Sequence, residues 1–209
     1  MYARSTTFHG DPAALDAGIA YTRDKVLTAV QQMDGCVGLS MLVDRPTGRC
    51  IVTTSWDDAA AMHHSAEAVR GIRETAISTV RGVESETEVV EWEIGAIHRV
   101  RSLPEGAAAR VISTRAPLGQ ADRSIDAFRS IIVPRISDLA GFCSISFFVN
   151  RETGRCSIAA VYENRQTRSQ AKGQAQAMRE EFTRHMGMHV TDVAEYDVAL
   201  SHLRVPETV

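Results

Sequence analysis

Hydrophobic residues at three- and four-residue steps, Ile19, Thr22, Val26, Ala29 and Met33, mark Ala13 to Gln32 as a helix with one buried stripe. Pro12 opens it and Asp11 supplies its N-cap. Tyr2 to Phe8, ahead of it, reads as a short strand. After it, Cys36 to Val43 and Arg49 to Trp56 read as two strands joined by Asp44-Arg45-Pro46-Thr47-Gly48, with Gly48 in a left-handed position of a short hairpin loop. Asp57 and Asp58 then cap a second helix, whose Met62, Ala66, Val69, Ile72, Ala76 and Val80 keep one face. Glu88 to Val100 follows as a strand.

The same order returns further along the chain. Ala109 to Ser113 is predicted as a strand, and Asp122 to Leu139 as a helix with Ile125, Phe128, Ile132 and Ile136 on one face. Pro134 inside that pattern predicts a kink or an early end. Phe142 to Val149 and Arg155 to Tyr162 are hairpin strands, Thr167 to Met186 a helix, and His189 to Leu203 a closing strand. Residues 35–58 align with 141–164 at an offset of 106, and 8 of the 24 pairs are identical. Glu91-Trp92-Glu93 aligns with Glu195-Tyr196-Asp197, and His98 with His202, at an offset of 104. Such likeness at a fixed spacing implies a repeated unit. The expected domains are residues 1–101 and 109–209, joined by the Pro- and Gly-bearing linker 102–108.

Strand, helix, strand, strand, helix, strand gives an antiparallel sheet with both helices on one face, the ferredoxin-like arrangement. The bare face of each sheet needs cover, because Leu42 and Phe148 add apolar residues opposite the main stripes. The fold expected is therefore α+β: two tandem ferredoxin-like (βαββαβ) domains packed sheet to sheet as a pseudo-dimeric α/β barrel.

Composition narrows the function classes. The chain has 209 residues, 44% hydrophobic and 23% charged, with a formal net charge of -3. A pI near 6.2 gives no electrostatic reason to expect nucleic acid or an anionic membrane as partner. No apolar run reaches the roughly 18 residues that span a bilayer, and the first ten residues lack a signal-peptide core, so a cytoplasmic compartment is expected. Cys36, Cys50, Cys143 and Cys156 show no metal spacing and read as buried thiols. No metal site is expected.

The segment Ser55-Trp56-Asp57-Asp58, then Ala60-Ala61-Met62-His63-His64-Ser65 and Val69-Arg70, resembles the antibiotic-biosynthesis-monooxygenase (ABM) branch of the dimeric α+β barrel superfamily. In the second copy Val161-Tyr162-Glu163-Asn164 keeps the aromatic, but the histidines are gone. The resemblance implies a monooxygenase, cofactor-independent, acting on a small aromatic or polycyclic substrate. The alternative is a non-catalytic small-molecule-binding or stress-associated barrel. Haem-degrading relatives look for an Asn on the first strand, a Trp about nine residues after the strand-end aromatic and a haem-ligating His farther along. Here those places hold Ser5, Thr6 and Thr7, then Ser65, then Arg73 and Glu74, which disfavours haem degradation. No cofactor is expected, with haem and flavin left open; so is any oligomer beyond the intrachain pseudo-dimer.

His63 and His64 are the candidate catalytic pair, since a neutral imidazole at a helix start beside a strand end can act as a base near pH 7. At about 100° per residue, at most one of them faces a pocket. Trp56 and Tyr162, at equivalent strand ends, are candidate substrate-binding aromatics; plugging a helix–sheet junction is their other possible task. His98 and His202 suggest a shared structural task at the seam of the halves. Asp57, Asp58, Glu163 and Asn164 read as helix caps, and the arginines around Thr47-Gly48 and Thr153-Gly154 as solvated hairpin residues. Only the first copy keeps histidines beside its aromatic, so the N-terminal half is expected to be the working one.

Overall fold

The structure is a computed structural model of the chain and describes residues 1–203. The first run comprises β1 (Tyr2–His9), a 3-10 turn (Pro12–Ala14), α1 (Leu15–Tyr21), a π-helical turn (Thr22–Val26), α2 (Leu27–Gln31), β2 (Cys36–Asp44), β3 (Arg49–Trp56), α3 (Ala59–His64), α4 (Ala66–Thr79) and β4 (Glu88–Arg99). The second comprises β5 (Ala108–Arg115), α5 (Ala121–Ala127), a π-helical turn (Phe128–Ile132), α6 (Val133–Ile136), β6 (Phe142–Val149), β7 (Arg155–Tyr162), α7 (Arg165–Gln170), α8 (Lys172–Met186) and β8 (His189–Leu203). The α+β class and the twofold βαββαβ order are those the hydrophobic pattern predicts.

The strands hydrogen-bond in the order β1-β3-β2-β8-β5-β7-β6-β4, which closes as a barrel. The chain forms two compact units, one of Met1–Trp92 with the strand from Val198, the other of Glu93–Asp197. Strands β4 and β8 are thus each divided between the units. The part of β4 that pairs with β6, from Glu93 to Arg99, belongs to the second unit, as does the part of β8 that pairs with β5, from His189 to Asp197. The two seam histidines follow this exchange. Within the second unit His98 Nε2 lies 3.1 Å from Ser137 Oγ, and within the first His202 Nε2 lies 2.7 Å from Gln31 Nε2. Ser137 and Gln31 are equivalent positions, so each histidine meets the helix of the other sequence copy.

Local chemistry explains the element ends. Asp11 accepts from the Ala13 amide at 2.9 Å, Asp58 from Ala61 at 2.8 Å and Asn164 from Thr167 at 2.9 Å, as N-caps should. Gly48 (φ 75°) and Gly154 (φ 68°) take the left-handed turn position in the two hairpins. A Cβ would stand 2.0 Å from the Gly10 carbonyl oxygen in one and 2.4 Å from that of Ala116 in the other. That close approach carries the bonds Gly10 N to Gly48 O and Ala116 N to Gly154 O, at 2.9 and 2.7 Å.

Three helix expectations need correction. The helix expected over Thr167 to Met186 starts at Arg165 and is broken at Ala171 into α7 and α8, where Arg110 donates to the Arg168 carbonyl. The helix after β3 is broken at Ser65, where Ser65 Oγ and Arg4 Nη2 both donate to the Met62 carbonyl, each at 2.7 Å. Of the predicted face, Ala66 is exposed and Ile72 and Ala76 are half-buried, while Ile77 joins Met62, Val69 and Val80 in the core. Pro134 does not end its helix. It sits in the first turn of α6 directly after the π-helical turn, and the equivalent π-helical turn of the first unit, Thr22–Val26, forms without any proline.

The cores differ. The second unit buries a continuous apolar cluster in which Phe128 stacks on Phe147 at 4.6 Å and meets Phe182 edge-on at 5.9 Å. In the first unit, apolar residues group around Phe8 and Leu15 and around Trp56 and Met62. There buried Thr6, Thr22 and Thr54 hold the places taken by Ile112, Phe128 and Ala160 in the second.

Candidate functional site

In each unit a cavity of about 40 Å³ lies between helix and sheet side chains. In the first unit Arg4, Thr6, Thr54, Thr22 and Arg73 bring polar groups to a wall otherwise formed by residues such as Val26 and Val52. In the second, Arg110, Arg179 and Tyr162 stand among Ile112, Phe128 and Ile158. Arg4 and Arg110 are equivalent, as are Arg73 and Arg179.

Arg4, on β1, is buried and makes three kinds of contact. Its Nε and Nη2 donate to Glu91 Oε1 at 3.1 and 2.8 Å, its Nη1 to Ser65 Oγ at 3.1 Å, and its Nη2 to the Met62 carbonyl. The other Glu91 oxygen, Oε2, lies 3.1 Å from His63 Nε2. Desolvation pushes the Glu91 carboxyl up, but Arg4 and His63 outweigh it and hold the group below its ordinary value.

Arg110 repeats the pattern on β5, donating to Glu195 Oε1 at 2.7 Å and to the Arg168 carbonyl at 3.2 Å. Here the second carboxylate oxygen accepts from Arg168 Nη2 at 2.8 Å. A titratable imidazole in one unit thus answers to a permanent cation in the other. Desolvation of Glu195 is likewise outweighed by the two arginines, and its carboxyl is held low.

The candidate residues are dispersed. His63 and His64 are both exposed; His63 connects to the first cavity through Glu91 and Arg4 rather than lining it. Trp56 is fully buried and donates from Nε1 to Thr54 Oγ1 at 3.1 Å, so it backs a lining residue of that cavity. Tyr162 lines the second cavity. Its ring meets Phe142 edge-on, and its buried hydroxyl has no hydrogen-bond partner among the described residues. Burial pushes its phenol pKa up against the pull of Arg110, so it stays a proton donor at neutral pH. The structure brings together neither the histidines nor the two aromatics.

The arginines and Glu91 and Glu195 were not singled out by sequence reasoning. Their signal was there: an Arg on the first strand of each copy, and a Glu in each closing-strand motif. All four cysteines are free thiols, and burial raises Cys50 to about 12 and Cys156 to about 11. Among the described residues no group of three or more His, Cys, Asp or Glu could hold a metal ion, and no helix is long and apolar enough to cross a membrane. The residues lining the first cavity offer no imidazole or thiolate to a haem iron.

No family model matches the chain. Among solved structures, a putative monooxygenase from Lactobacillus acidophilus NCFM superposes with a TM-score of 0.69 at 12% identity, covering 97% of this chain and 96% of that one. An anthrone oxidase-like protein gives 0.63 at 11% identity, covering 94% and 90%. The haem-degrading enzyme LmHde from Listeria monocytogenes gives 0.54 at 8% identity, covering 94% and 99%. At such identities the likeness shows the fold, which is that of the ABM-like dimeric α+β barrels. Two Mycobacterium tuberculosis (strain ATCC 25618 / H37Rv) proteins are much nearer in sequence. The uncharacterized protein Rv2557 is 41% identical over 209 residues, covering all of this chain and 92% of its own, and Rv2558 is 39% identical over 210 residues, covering 100% and 88%. The chain belongs to the same protein family as Rv2557 and Rv2558.

Proposed function

We propose that this protein is a cofactor-independent monooxygenase acting on a small phenolic aromatic, with the cavity of the first unit as its reaction site. The observation that carries this reading is that Arg4, Arg73 and three threonines line one otherwise apolar cavity. Cofactor-free oxygenation needs an electron-rich substrate anion. Two guanidinium groups beside an apolar wall favour such an anion by stabilising its charge where water is scarce.

The substrate supplies all the electrons. The ring C–H para to the hydroxyl becomes C=O, one atom of O2 enters the product, and the other leaves as water with the two hydrogens lost from carbon and oxygen. Arg4 holds the phenolate oxygen, and the flexible Arg73 side chain moves to admit the ring. His63 is a positioning residue that sets Arg4 through Glu91, and Trp56 fixes Thr54 from behind.

A second reading, a non-catalytic small-molecule-binding barrel, is favoured by the cavity volume of about 40 Å³ and by the exposure of both histidines. Oxygen uptake with 1-naphthol separates the two. Uptake with quinone formation, lost in Arg73→Gln and reduced in the His63→Ala/His64→Ala double variant, supports the enzyme. Saturable binding with no uptake supports the binding protein.

A further inference from the structure

We infer that the cavity of the second unit is a separate binding site for a small apolar monocarboxylate, its carboxylate held by the Tyr162 hydroxyl and the Arg179 Nε–H. Both groups line the cavity, and both polar atoms are buried with no hydrogen-bond partner among the described residues. Tyr162 is fully buried, so its hydroxyl has no route to bulk water. A buried donor left unmade costs free energy, and two such donors in one cavity are a strong departure from the usual full satisfaction of buried polar groups.

The chemistry of the two orphans selects the ligand class. The Arg179 Nε–H can only donate and the Tyr162 hydroxyl can donate as well as accept, so a carboxylate takes a bond from each with charge assistance. The local charge agrees. Arg110 and Arg168 share the single carboxylate of Glu195, at 2.7 and 2.8 Å. Among the described residues the ion pair of Arg179 is the half-exposed Glu180 carboxylate at 3.9 Å, too long for a hydrogen bond, so its charge stays open to an anion. Beyond the donors the wall is isoleucine and phenylalanine, which suits a hydrocarbon tail. The volume of about 40 Å³ sets the tail at a few carbons, with the unbranched Met178 side chain able to yield. The first unit does not duplicate this site. Its residue equivalent to Tyr162 is Trp56, whose one donor is already bonded to Thr54.

The test is a titration of the full chain with butyrate, followed through the isoleucine δ-methyl NMR signals, with 1-butanol as the uncharged control. Saturable shifts are expected at Ile112, Ile132 and Ile158, with those of Ile19, Ile72 and Ile77 in the first unit unmoved. 1-Butanol should bind about tenfold more weakly or worse, and Tyr162→Phe and Arg179→Gln should each weaken butyrate about tenfold, the loss of one charge-assisted hydrogen bond. Both variants keep the shape of the wall, and their unliganded spectra show whether they fold. Failure of butyrate to give saturable shifts, equal affinity in Tyr162→Phe and Arg179→Gln, or shifts centred on the first unit would overturn the site. The readout needs no oxygenation, so it stands or falls apart from the proposed activity.

Discussion

The cavities of the two units keep the same pair of arginines and differ in what surrounds them. Thr6, Thr22 and Thr54 in the first correspond to Ile112, Phe128 and Ala160 in the second, and Ala76 corresponds to Phe182. One cavity is lined by threonines where the other has isoleucine, phenylalanine and alanine. In both units the arginine on the first strand also braces a helix break and a closing-strand glutamate, so that bracing does not set the units apart. What distinguishes the units chemically is the rest of the wall, together with the second partner of that glutamate.

The largest effect should come from the aromatic cluster that only the second unit has. Phe128→Ala is expected to destabilise by about 3–5 kcal/mol, while Thr22→Val at the equivalent place should cost only about 1 kcal/mol. Urea unfolding of both variants checks this, and equal costs would show that the two cores are more alike than their side chains.

Next comes the buried arginine. Arg4→Met removes the bonds to Glu91, Ser65 and the Met62 carbonyl together, and should cost about 3 kcal/mol. Arg110→Met leaves Glu195 still bonded to Arg168, and should cost about half as much. A smaller effect of opposite sign is expected at the strand-end aromatics. Tyr162→Phe removes an unpartnered buried hydroxyl and should stabilise the unliganded protein by about 1 kcal/mol, whereas Trp56→Phe loses both volume and the bond to Thr54 and should destabilise it. Thermal unfolding in ligand-free buffer reads both.

The smallest effect is the pH dependence of the two glutamates. Both carboxyls are held below their ordinary values, so the stability they add is fully present above the unfolded-state pKa of about 4.3 and is lost as pH falls through the lower folded value. Acid unfolding should therefore begin at higher pH in wild type than in Glu91→Gln or Glu195→Gln normalised to its own stability at pH 7. Identical profiles would remove both glutamates from the acid response.

Much of the fold was legible because burial imposes a period. The stripe Ile125, Phe128, Ile132 and Ile136 and the hairpins around Gly48 and Gly154 could be read directly, since a missing Cβ and a helical repeat leave local marks. The break at Ser65 could not, because it depends on Arg4, sixty-one residues away in sequence, donating to the Met62 carbonyl. The candidate site was legible only in outline. His63 and Tyr162 stood out by residue type, but their placement, one outside the cavity and one inside, is set by tertiary contacts. Nothing in the sequence sets Arg73 and Arg179 apart from the other helix arginines. The exchange of β4 and β8 between the units leaves no mark in either strand's own pattern, since a shared strand alternates as any other does.

Exchanging one wall residue between the cavities and measuring oxygen uptake with 1-naphthol separates a reacting first cavity from a reacting second one. Thr6→Ile gives the first cavity the second's residue, and should lower uptake at least tenfold while the fold holds; Ile112→Thr should leave uptake unchanged. Uptake that survives Thr6→Ile and falls in Ile112→Thr would move the reaction to the second unit.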